Sequence, residues 1–301
     1  MYSKILIPLD GSETAEKVLP YARALGENLQ ASIELVAALD VADMAAHLSA
    51  TRHLDTLIEG AQGRTSEYLR RIAARFSSTN VTCTVEKGRA EDVILERAGM
   101  APGTLIAMAT HGRSGLDRWL LGSVAEKVLR GATSPLLLIR TSDQTKGDSG
   151  LALKSVIVPL DGSELAESVL PAAVELAKKL KLEIILFRAY HIPYSAYGGA
   201  DGYYNIDFGE VTDAMKDEAQ SYLEEKAAQL RAQGIEKVSC VAKEGFSGDQ
   251  IIKIGRETPA SIIAMCSHGR SGAKRWVLGS VTETVVRHGA DPVLVIRAVH
   301  S

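Results

Sequence analysis

The sequence predicts an α/β protein made of two tandem, doubly wound domains of five strands each. Three observations predict it. The chain has 301 residues, which at roughly 100–200 residues per domain points to two. It repeats itself: Pro8-Leu9-Asp10-Gly11-Ser12 recurs as Pro159-Leu160-Asp161-Gly162-Ser163, and THGRSGLDRWLLGSV (110–124) recurs as SHGRSGAKRWVLGSV (267–281). From Met108 to Arg140, 19 of 33 positions match their partners in the second copy, which duplication explains and chance does not. Finally, each half alternates strand-like and helix-like runs, the pattern of a parallel sheet covered on both faces.

Taken in order, KILIPL, SIELVAAL, VTCTVEK, TLIAMA and PLLLIR are short apolar or alternating runs of strand length. Between the first two, Ala15, Val18, Leu19, Ala22 and Leu25 recur at helical spacing behind Ser12, a candidate N-cap. Pro20 and Pro171 fall inside this helix in the two copies, and a kink is expected there. Residues 64–76 and 90–98 also show helical spacing, and SVAEKVLRG (123–131) is the last helix of the first half. The segment TSDQTKGDSG (141–150) is polar and rich in glycine and serine, as a linker is. The expected boundaries are 1–141, a linker at 142–152, and 153–301.

Composition narrows the function classes. Thirty-four Lys and Arg against 37 Asp and Glu give a net charge of −3, so no nucleic-acid partner is expected. No uncharged apolar run reaches ~18 residues, so no membrane partner is expected either. Cys83, Cys240 and Cys266 contain no C-x-x-C, and a cytoplasmic location is expected. Phosphate-loop, dinucleotide-fingerprint and zinc spacings are missing from the sequence.

In an open parallel sheet, ligands bind beyond the carboxyl ends of the strands. Two elements end strands there: Pro8-Leu9-Asp10-Gly11, and the loop from Ala109 to Gly122-Ser123, with counterparts Pro159 to Gly162 and Cys266 to Gly279-Ser280. A carboxylate can accept hydrogen bonds from a ribose hydroxyl. Glycines let backbone N–H groups approach a phosphate, and a helix start adds free donors and a positive dipole end.

On these residues the half-repeat resembles the universal stress protein domain, over nearly the whole chain and twice. ATP-binding members of that family carry Gly-x2-Gly-x9-Gly-Ser/Thr after strand four. Here the match is Ala109-x2-Gly112-x9-Gly122-Ser123 and Cys266-x2-Gly269-x9-Gly279-Ser280. The first glycine is replaced in both copies; alanine is a mild change, whereas cysteine is expected to crowd an adenosine. The resemblance implies sheet order 3-2-1-4-5, and pairing of the two halves with each other or with a second chain through the last strands, 136–140 and 293–297. It implies that Asp10 and Asp161 hold ribose or adenine, and that Ala37 and Ala189 meet the adenine edge. Gly112, Arg113, Gly122, Ser123 and Val124 would line the phosphates, as would Gly269, Arg270, Gly279, Ser280 and Val281. Pro8, Met108, Pro159 and Met265 complete the implied ATP site, with any Mg2+ carried by the phosphates and no metal site in the protein.

Each reading has a plainer competitor. Asp10 also suits a simple turn cap, and His111 and His268 suit loop bracing better than catalysis. Ser123 and Ser280 lack a nucleophile motif. Trp119 and Trp276 suit domain packing. Cys83 and Cys240 suit buried small hydrophobes. The unlike segments 40–55 and 191–209, the latter with five aromatic residues, suit either a ligand cover or a packed surface loop. The functional expectation is a regulatory adenine-nucleotide binder of the stress-response type that is not an enzyme. The alternatives are a nucleotide-free scaffold or chaperone-like protein, and a slow ATPase.

Overall fold

The computed structural model describes residues 2–46, 54–76, 80–110, 121–140, 153–191, 208–267 and 278–297. The linker and most of the unlike segments therefore lie outside the described residues. Backbone contacts divide the chain into two compact units, the second beginning at Leu153.

In the first half the order is β1 (Lys4–Pro8), α1 (Glu13–Glu16), α2 (Leu19–Leu29), β2 (Ser32–Leu39), α3 (Val41–Ala46), α4 (Leu54–Ala73), β3 (Val81–Lys87), α5 (Ala90–Gly99), β4 (Thr104–Ala109), α6 (Ser123–Gly131) and β5 (Leu136–Ile139). The strands lie parallel in the order β3-β2-β1-β4-β5. Pro8 stands opposite Val36, and Leu6 opposite Ile106. Ile5, Leu6 and Ile7 are all fully buried, as a central strand between two helical layers must be.

The second half runs β6 (Ser155–Pro159), α7 (Glu164–Glu167), α8 (Leu170–Leu180), β7 (Glu183–Tyr190), α9 (Phe208–Ala232), β8 (Val238–Glu244), α10 (Ser247–Glu257), β9 (Ser261–Cys266), α11 (Ser280–His288) and β10 (Val293–Ile296). β6 lies between β7 and β9, with β8 outside β7, all parallel. Among the described residues, no helix is long and apolar enough to cross a membrane.

The first helix is not kinked at proline but divided before it. α1 ends at Glu16, and α2 starts at Leu19 with Pro20 in its first turn; α7, α8 and Pro171 repeat this. A proline in a first turn lacks only an N–H that has no helical partner there, so two short helices avoid the cost of one kinked helix. The helix predicted at 64–76 begins earlier, at Leu54.

The turn after β1 is held by side chains. Asp10 Oδ1 accepts from the Ser12 N–H at 2.9 Å and from Ser12 Oγ at 2.6 Å, and Ser12 Oγ accepts from the Ala15 N–H at 3.1 Å. Asp161 and Ser163 repeat the arrangement. Gly11 and Gly162 sit at φ 83° and 86°, where a side chain is strained. Ser12→Ala is expected to cost about 1 kcal/mol by loss of the cap, read as a lower urea midpoint.

The halves differ at the opposite end of the sheet. In the first, buried Glu34 binds Lys4 Nζ at 2.9 Å, Thr84 Oγ1 at 3.0 Å and the Arg97 guanidinium. The strand registers and the repeat put Ser155, Ile185, Val241 and Ile254 at the matching positions. An ionic cluster in one copy is thus largely apolar in the other.

Candidate functional site

At the carboxyl ends of β1 and β4 the first half opens a cleft of about 290 Å³. Pro8, Asp10, Met108, Gly122, Ser123 and Val124 all line it, so six of the predicted site residues converge. Val36 and Ala38 from β2 and Val93 and Ile94 from α5 supply an apolar wall. Lys127 Nζ ties α6 to Glu91 of α5 at 2.6 Å, joining two walls of the cleft.

Gly122 is the N-cap of α6, in extended conformation and without a side-chain cap, and its N–H donates to the Thr110 carbonyl at 2.8 Å. Ser123 is therefore the first helical residue, not the cap. The first-turn N–H groups of a helix have no acceptor within it, and here that turn borders the cleft, where the helix dipole favours an anion.

Asp10 holds the turn through its Oδ1 and also stands at the cleft. Behind it, Tyr68 of α4 donates to Glu16 Oε1 at 3.2 Å. Burial first, and the Glu16 carboxylate second, push the Tyr68 phenol up, so it stays protonated and keeps donating.

Ala37 lines a neighbouring hollow of about 620 Å³ on the α4 side, together with Arg64 and Tyr68, not the cleft itself. Alternate strand residues face opposite sides of a sheet. The registers pair Pro8 with Val36 and Pro159 with Phe187, so Ala189 corresponds to Ala38 and Ala37 corresponds to Arg188. Carrying the 151-residue offset of Pro8 and Pro159 through strand two finds Ala38 from sequence. Nothing in the sequence singled out the α5 wall.

In the second half Pro159, Asp161, Ala189, Met265, Gly279, Ser280 and Val281 line one hollow of about 530 Å³. Gly279 repeats the N-cap, donating to the Ser267 carbonyl at 2.8 Å. Cys266 is buried at its edge, and Ser168 Oγ donates to its sulfur at 3.5 Å. This hollow is larger than the first cleft because it also takes in the α9 side of β7, with Arg188 and Glu218, the side that forms the separate Ala37 hollow in the first half. Gly112, Arg113, Gly269, Arg270, His111, His268, Trp119 and Trp276 lie outside the described residues.

The other two cysteines differ from expectation. Cys83 is exposed and Cys240 is half-buried, because β3 and β8 are outer strands that the helices cover incompletely. Burial first, then the Glu224 carboxylate, push the Cys240 thiol up to about 11. Since the thiolate is the reactive form, alkylation of Cys240 by iodoacetamide at pH 8 is expected to run about a hundredfold slower than that of a free thiol. Peptide mapping against time measures it. Among the described residues, no group of three or more His, Cys, Asp or Glu side chains is arranged to hold a metal ion.

Comparison with known proteins agrees with this architecture. The model of the universal stress protein family matches residues 1–140 and again 152–297. A universal stress protein of Methanocaldococcus jannaschii is 27% identical over 146 residues, covering 48% of this chain and 82% of that protein. One of Mycobacterium bovis is 29% identical over 196 residues, covering 64% of this chain and 61% of that protein's length. The crystal structure of a universal stress protein from Archaeoglobus fulgidus superimposes with a TM-score of 0.68 at 24% identity, covering 99% of both chains. With the family model matched in each half, this chain belongs to the universal stress protein family.

Proposed function

We propose that the protein is a regulatory binder of adenine nucleotide, ATP first among them, with one site in each half. One observation carries the reading: in both halves the aspartate after the first strand and a glycine-capped helix start border the same hollow. The residues fit the ligand. The absence of a side chain at Gly122 and Gly279 leaves room where a phosphate would approach. In the first half the base would lie against Val36, Ala38, Val93 and Ile94. Asp10 and Asp161 would meet the ribose, and the first turns of α6 and α11 would hold the phosphates. Any Mg2+ would be carried by those phosphates.

Regulation, not turnover, is the proposal. Hydrolysis needs a group that orients the attacking water, and Asp10 and Asp161, the carboxylates that end the first strands, are assigned here to the ribose. Binding would alter pairing through the last strands or the surface offered to a partner. Calorimetry of the full chain with ATP, AMP and cyclic AMP tests the reading. Saturable binding with up to two sites per chain is expected; absence of heat with all three, and no adenine nucleotide released on denaturation, would return the protein to the scaffold class.

A further inference from the structure

The two hollows differ in one buried charge. Arg188 of β7 stands where the first half has Ala37, so it leaves β7 on the α9 side of the sheet, and it lines the part of the second hollow that in the first half is the separate Ala37 hollow. Its side chain is only 10% exposed. The guanidinium lies 4.9 Å from the centre of the Tyr222 ring and, among the described residues, makes one hydrogen bond, to Glu218 Oε1 at 2.9 Å. A guanidinium has five donors in a rigid fork, so most of this one's donors have no acceptor among the described residues, at a wall of the hollow. The side chain of Glu218 is 71% exposed, so it can swing into water at little cost. At the Arg64 position of the first half the second carries Glu218, so the first half offers no counterpart to this pair.

None of these nitrogens is a buried atom left without a partner, so the unused donors are open to the hollow, and a ligand acceptor there gains charge-assisted hydrogen bonds. We infer that the second site, unlike the first, selects a nucleotide presenting a pair of hydrogen-bond acceptors near the end of β7, which replace Glu218 on Arg188. Two sources supply such a pair: the O6/N7 edge of guanine, which a guanidinium reads bidentately, and the oxygens of a phosphate on the ribose. Adenine offers no such pair of acceptors. This inference rests on the nucleotide reading of the same hollow; its phosphate source keeps adenine there, and its guanine source replaces adenine in the second half alone.

The test uses full-length protein carrying Gly122→Val, so that only the second site remains open, titrated calorimetrically with ATP, GTP and adenosine 3′,5′-bisphosphate. GTP or the bisphosphate is expected to bind about tenfold or more tightly than ATP; which of the two does so identifies the source. Arg188→Ala is expected to erase the preference. Glu218→Ala, a change at an exposed side chain, is expected to strengthen the preferred ligand severalfold, whereas a purely structural ion pair would give no gain. Equal or tighter binding of ATP, or a preference that survives Arg188→Ala, overturns the inference and leaves the nucleotide reading standing. If no nucleotide binds the unaltered protein, both fall together.

Discussion

Full-length protein carrying Gly122→Val is expected to lose one nucleotide site and keep the other. Gly122 has φ −60° and ψ 146°, an extended conformation open to any residue, so valine adds no backbone strain. The N–H bond to Thr110 is kept, and so is the start of α6. What changes is the space: the valine methyls occupy the point where the cleft meets the helix N-terminus. Loss of phosphate contact there is expected to weaken first-half binding by about a hundredfold or more, roughly 3 kcal/mol. Gly279→Val, at φ −62°, should do the same to the second site, and the double variant should bind nothing. Calorimetric stoichiometry and circular dichroism together separate a blocked cleft from a damaged fold. Full binding by a folded double variant would sink the nucleotide reading.

The second large effect concerns stability. Glu34→Ala is expected to cost about 3 kcal/mol, because it strands Lys4 and leaves Arg97 only the more exposed Glu86, at 3.5 Å. Replacing the whole cluster should behave oppositely. Lys4→Ser, Glu34→Ile, Thr84→Val and Arg97→Ile together install the residues of the second half, where Ile185 and Ile254 are buried. A buried ionic group exchanged for packed apolar residues is commonly neutral or stabilising by about 1–4 kcal/mol. Urea denaturation of the two variants reads the difference; equal losses in both would refute it.

The same cluster fixes a pH response. Burial by itself would raise the Glu34 carboxyl, but the Lys4 and Arg97 contacts outweigh it and hold the group below its ordinary value of 4.5. A carboxylate depressed by folding contributes stability above its unfolded value, and that contribution fades as pH falls through the folded value. The apolar replacement should therefore lose less stability than the unaltered protein when pH is lowered from 5 towards 3.

Much of the fold was legible because duplication and periodicity repeat every signal twice. VTCTVEK and TLIAMA coincide with β3 and β4, and Asp10 and Gly122 line one cleft. The misplacements have local physical causes. Pro20 was assigned to a helix interior, whereas the chain restarted its helix one residue before it. Ala37 was one position from the cleft-facing Ala38, and on a strand a single step reverses the face. Cys83 had the pattern of a buried strand residue, but an outer strand leaves it uncovered.

By itself the sequence determined the duplication, the strand–helix alternation and the residue types that a phosphate-bearing ligand needs, since these depend on spacing along the chain. Only the tertiary structure decided which side of β2 faces the cleft, that Glu34 collects two cations in one copy alone, and that Arg188 enters the second hollow. Those outcomes depend on strand register and on side chains brought together from distant positions, which no local pattern encodes.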